Sequence, residues 1–100
     1  MELQKVLKEL ITYPTEANWF EFKVNWYEPN GIGEYISSLA NAAAMGGREC
    51  GYLVWGVDND SHEIVGTSFI YRTTVRNEPL EHYLARQIVP DNSFSFHEIM

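Results

Sequence analysis

Gly31–Asp58, GIGEYISSLANAAAMGGRECGYLVWGVD, reads as a helix, a glycine break and a strand that ends on a carboxylate. Ile32, Ile36, Leu39, Ala40, Ala43 and Ala44 recur at three- and four-residue spacing, which puts them on one helical face. Alanines crowd the middle of that face, so the helix can lie close to whatever it packs on. Gly46 and Gly47 end it, because glycine takes the left-handed conformation that a helix C-terminus favours. Tyr52, Leu53, Val54, Trp55 and Val57 form an almost unbroken apolar run, as suits a strand covered on both faces. Asp58 stands at its end.

The segments on either side extend the pattern. Leu3, Val6, Leu7, Leu10 and Ile11 make an apolar stripe, which predicts a first helix over 2–12, closed by Pro14. Asn18 to Trp26 alternates: Phe20, Phe22, Val24 and Trp26 share one face, and Trp19, Glu21, Lys23 and Asn25 the other. That predicts a half-buried strand, followed by a loop over Tyr27 to Gly33. Asp58 to Ser61 is a turn by composition, and Glu63 to Phe69 reads as a returning strand with Ile64 and Val65 at its core. Ile70 to Arg76 is ambiguous between extended structure and exposed loop. Asn77 is the expected N-cap of a last helix, with Glu78 and Pro79 in its first turn and Leu80, Tyr83, Leu84, Gln87 and Ile88 on its apolar side. Pro90 closes that helix, and Phe94 and Phe96 mark a final strand. The order is α, then β-α-β-β-α-β: an α+β fold with a four-stranded sheet and helices packed on it.

One hundred residues allow one domain with a single core. The final strand reaches the last residue without a turn after it, which suggests a fragment cut from a longer protein. No apolar run approaches the roughly 20 residues needed to span a bilayer, so no membrane contact is expected. The N-terminus lacks the small-residue cleavage site of a secretion signal. The single cysteine, Cys50, cannot close an internal disulfide, and no zinc spacing is present. These features fit a reduced, cytoplasmic protein, with Cys50 read as a buried, inert thiol and the three histidines as structural. The net charge of −7 opposes broad attraction to nucleic acid. Any such contact has to be local, bridged by metal ions or helped by further parts of a longer chain.

Several short motifs occur in a fixed order: Thr15-Glu16, Glu21-Phe22-Lys23, Ser38-Leu39-Ala40-Asn41, Gly46-Gly47, Gly51 to Asp58, and Ile64-Val65-Gly66. In this order they resemble the Schlafen-type AlbA-like domain, which also goes by the names divergent AAA-type and RecG-related transcriptional-regulator domain. The resemblance covers nearly the whole chain from residue 15 onward. It implies an Alba-like β-α-β-β-α-β fold, a DNA-binding role and, in bacterial members, further regions after the domain. In the Schlafen branch it implies a metal-dependent nuclease acting on structured RNA. The chain departs from the family pattern at Ala42, where a small polar residue is usual, and at Arg48-Glu49-Cys50 between the glycine pair and the strand. It has no Gly-x-x-x-x-Gly-Lys-Ser/Thr loop, so the helicase label finds no support.

Two sets of residues carry candidate chemistry. Glu16, Glu21 and Asp58 are hard oxygen donors of the kind that hold Mg²⁺ or Mn²⁺, and they match the acidic triad that the resemblance implies. A metal there would polarise a phosphodiester and activate a water, and Lys23 would hold the phosphate or steady developing charge. The plainer reading makes Glu21 and Lys23 a solvated ion pair, Asp58 a turn residue and Glu16 surface. Arg48, Arg72 and Arg76, with Tyr71 among them and Lys23 besides, are the candidates for DNA or RNA contact. Against them stands scattered solvated charge, seven Lys or Arg facing 14 acids. Trp19, Trp26 and Tyr27 suit base stacking, although such residues more often serve core or edge packing. Binding of this kind requires no cofactor; Mg²⁺ or Mn²⁺ enters only with the nuclease. A non-catalytic alternative is an interaction domain, a homo-oligomer joined through an exposed sheet edge.

Overall fold

A computed structural model describes residues 2–13, 17–88 and 93–99. Its elements are α1 (Leu3–Leu10), β1 (Phe20–Lys23), α2 (Pro29–Met45), β2 (Tyr52–Trp55), β3 (Thr74–Val75), β4 (Glu78–Pro79) and α3 (Leu80–Gln87). β1 and β2 run parallel, with Phe20 opposite Tyr52, Glu21 opposite Leu53, Phe22 opposite Val54 and Lys23 opposite Trp55. β3 and β4 form a separate antiparallel pair. The fold is α+β as expected. Among the described residues, however, the strands make two pairs rather than one four-stranded sheet.

Alternation along the parallel pair sends side chains to opposite sides. Phe20, Phe22, Tyr52 and Val54 join Leu10 and Val57 in a first core, which α1 covers through Val6, Leu7 and Ile11. Leu53 and Trp55 join a second core built on Ile32 of α2 and on Leu80, Leu84 and Ile88 of α3 and its end. The expectation that the 52–57 run is covered on both faces therefore holds. Its strand residues stay half-buried, because only β1 lies beside them.

Glu28 is the N-cap of α2; its carboxylate accepts from the amides of Asn30 and Gly31, and Pro29 occupies the first helical position. The helix thus begins inside the segment expected to be a loop. Gly31 has little choice of residue, since a Cβ there would lie 2.7 Å from the Trp26 ring. At the other end Arg48 N–H donates to Ala43 O and Gly47 N–H to Ala44 O, with Gly47 at φ 73°. This is the Schellman closure that the glycine pair predicts.

Several expectations need correction. β1 ends at Lys23, short of the predicted Trp26, and the chain bends there. Asn25 Oδ1 accepts from the Ser68 amide and from the Thr67 and Ser68 hydroxyls, which ties the 67–68 segment to the bend. Trp26 consequently packs on the second core, while Trp19, in the turn before β1, packs on the first. The returning strand over 63–69 reduces to one bridge, Val57 with Ile64. Gly56, at φ 101°, bulges there; its carbonyl accepts from both Val65 and Gly66. Ile64 and Val65 are 61% and 54% exposed, so neither is core.

Asn77 caps no helix. Arg76 and Asn77 both have positive φ, 53° and 67°, and form the turn between β3 and β4; Pro79 directly precedes α3. Residues 93–99 include no strand, although Phe94 and Phe96 pack on the second core. Cys50 is exposed rather than buried. Pro14 and Pro90 lie outside the described residues.

Candidate functional site

Glu21 and Lys23 leave β1 on the side opposite Phe20 and Phe22, so they stand under α2 at the margin of the second core. They do not form the ion pair that their spacing suggests; the ion pairs among the described residues are Arg72–Glu98 and Arg86–Glu78. Instead the Tyr35 hydroxyl, from α2, donates to Glu21 Oε1 at 3.1 Å. Lys23 Nζ lies 5.2 Å from the Tyr35 ring centroid and 5.4 Å from that of Trp26. The two rings stand at 88° to one another, so the ammonium meets two negative ring faces. Glu21 and Tyr35 line an open groove of about 340 Å³ with Ala17, Asn18 and Ser38. Tyr35 was not singled out from the sequence, yet it lies on the apolar side of α2 between Ile32 and Leu39. Helical spacing toward an acidic strand face was the available signal.

Asp58 follows β2 beyond the Gly56 bulge. Its Oδ1 accepts from the amides of Asp60, at 2.9 Å, and Ser61, at 2.8 Å. These backbone donors, Ser61 foremost, hold its carboxyl below the usual carboxylate range, and nearby His62 adds to the effect. His62 in turn packs edge-on against Phe22. Asp58 therefore organises its own turn at the end of the sheet, whereas Glu21 sits opposite Leu53 in the strand itself. Glu16, the third expected ligand, lies outside the described residues; its neighbour in sequence, Ala17, lines the Glu21 groove. Among the described residues no three His, Cys, Asp or Glu side chains group as metal ligands. The donor chemistry of Glu21 and Asp58 fits a hard divalent cation, because each contact above engages one carboxylate oxygen and a carboxylate has acceptor capacity beyond it.

The arginines do not form one patch. Arg48 lies over Trp19, its Cζ 3.9 Å from the ring centroid, beside the first core. Arg72 lies on the other side, with Cζ 5.0 Å from the Tyr71 ring. Tyr71 itself stacks on Phe96, at 5.1 Å and 8° between planes. Arg72 also approaches Glu98 at 3.9 Å, with both side chains largely exposed. Arg76 is exposed at the β3–β4 turn. Tyr27 is 42% exposed and leans on Phe69, which is stacked on Trp55 at 4.2 Å.

No helix among the described residues is long and apolar enough to cross a membrane. Neither the curated proteins nor the solved structures give a match to the chain. The family model described as Schlafen, AlbA_2 matches residues 16–100, a span that takes in β1, α2, β2 and everything after them. That match points to a nucleic-acid-related role, and by it the chain belongs to the Schlafen AlbA_2 family.

Proposed function

We propose that this chain is a nucleic-acid-binding module whose contact surface centres on Tyr71 and Arg72. The observation that carries the reading is the Tyr71–Phe96 stack with the Arg72 guanidinium beside it. A ring already held parallel to a second ring is a preorganised platform for a base, at little entropic cost. The guanidinium, over the Tyr71 ring at 5.0 Å from its centroid, supplies the charge for a phosphate. Its carboxylate partner, Glu98, is exposed and 3.9 Å away, so a phosphate can replace it. A local contact of this kind also suits a chain with a net charge of −7.

The test is a titration of labelled duplex, hairpin and single-stranded DNA and RNA at low salt. Binding should weaken steeply as salt rises. Tyr71→Ala should cost roughly 1–3 kcal/mol of binding, the range for one stacked base. Absence of binding to every probe would remove the proposal.

A second reading, divalent-metal-dependent cleavage of RNA, is favoured by the groove that Glu21 lines with Asn18, Tyr35 and Ser38. Glu16, Glu21 and Asp58 would hold the ion, which when bound supplies an activated water and a polarised phosphate. Lys23 would receive the phosphate. Mn²⁺-dependent cleavage that survives both Glu21→Ala and Asp58→Ala would exclude this site. The same titration separates a DNA from an RNA preference, and light scattering of the chain alone tests association through a sheet edge.

A further inference from the structure

Glu21 and Lys23 project from the same face of β1 about 6.6 Å apart along the strand, near enough for their charged ends to meet. If they paired, each would neutralise the group the other reaction partner needs: the carboxylate for a cation, the ammonium for a phosphate. One side chain from α2 engages both. The Tyr35 hydroxyl donates to Glu21 Oε1, and the Tyr35 ring, set at a right angle to Trp26, takes the Lys23 ammonium.

We propose that Tyr35 is a positioning residue that holds Glu21 and Lys23 apart, with the carboxylate presented to a divalent cation and the ammonium to a phosphate. This rests on the carboxylate reading of the groove. The hydroxyl does one part of the work by fixing the carboxylate, as hydrogen-bonding partners of ligating carboxylates do. The ring does the other, and Trp26 shares it. Since the hydroxyl and the ring are separable, so are their effects. Tyr35→Phe keeps the ring and removes the donor, whereas Tyr35→Leu removes both.

The experiment uses the full chain with Mn²⁺ alone as the probe, its affinity read by calorimetry, alongside the NMR shift of the Lys23 ε-methylene protons, which ring currents move upfield. Tyr35→Phe should weaken Mn²⁺ binding roughly tenfold to a hundredfold and leave the Lys23 shift in place. Tyr35→Leu should weaken Mn²⁺ equally and move the Lys23 signal toward its random-coil position. If Tyr35→Leu does not fold, the near-isosteric Phe variant decides alone. Mn²⁺ affinity unchanged in Tyr35→Phe would overturn the positioning role while sparing the carboxylate reading. Equal affinity in the unmodified chain and Glu21→Gln, or no binding by either, would overturn that reading and the inference with it.

Discussion

The two sides of the β1–β2 pair are made from alternate residues of the same strands and do different work. On the α1 side, Phe20, Phe22 and Val57 are each 1% exposed, with Leu10 closing over them. On the α2–α3 side the same strands present Glu21, Lys23, Leu53 and Trp55. Tyr35, Trp26 and, farther out, Tyr71 and Arg72 belong to this second side. One side is sealed and apolar. The other mixes apolar packing with charges held by rings and hydroxyls. A small fold can thus place sealed packing and chemistry-bearing side chains on neighbouring positions of one strand, because strand geometry separates them by direction.

The largest expected effect is on the sealed side. Phe22→Ala should lower stability by about 3–5 kcal/mol, the range for deleting a buried phenyl ring. Glu21→Ala, one position away, should cost only about 0.5–1.5 kcal/mol, the range for the one part-buried hydrogen bond it loses. Denaturant melts of the two variants would break the comparison if their costs were similar.

Next in size is Gly51→Ala at the entry to β2. A Cβ there would sit 2.6 Å from the carbonyl oxygen of Leu39 in α2, a backbone atom that cannot swing aside. A cost of about 1–3 kcal/mol is expected from the forced shift, read as a lower midpoint in the same melts. No loss would mean that α2 and β2 are less closely seated than described.

The smallest effect concerns pH. The folded state holds the Asp58 carboxyl below its usual value through the Ser61 and Asp60 amides. A depressed pKa means that the contribution is complete above the unfolded value, about 4, and is lost as pH falls through the folded one. Asp58→Ala should therefore reduce stability at neutral pH slightly and flatten the acid limb below about pH 4. An unchanged acid limb would remove the turn from the account.

Much of this division was legible in the sequence, because it rests on local periodicity. The alternation at Phe20, Glu21, Phe22 and Lys23 and the glycine pair after Met45 each read correctly. What failed depended on partners far along the chain. Trp26 crosses to the second core because Asn25 binds the 67–68 segment and bends the strand. Ile64 and Val65 look like core residues, yet the Gly56 bulge leaves them exposed. In the site, the Glu21–Lys23 ion pair was the obvious expectation from spacing. Tyr35, which takes the place of that pair, comes from another element, and only its helical spacing between Ile32 and Leu39 marks it in sequence. Likewise the Tyr71–Phe96 stack joins a loop to the C-terminal segment, a contact that no local pattern encodes.

The most direct measurement is an anisotropy titration of labelled nucleic acids against the unmodified chain and against Tyr71→Ala and Arg72→Ala, at low and at physiological salt. The account predicts that at least one probe binds, that salt weakens it steeply, and that both substitutions weaken it further, Arg72→Ala with a shallower salt dependence. Binding that is indifferent to both substitutions, or no binding at low salt, would contradict it.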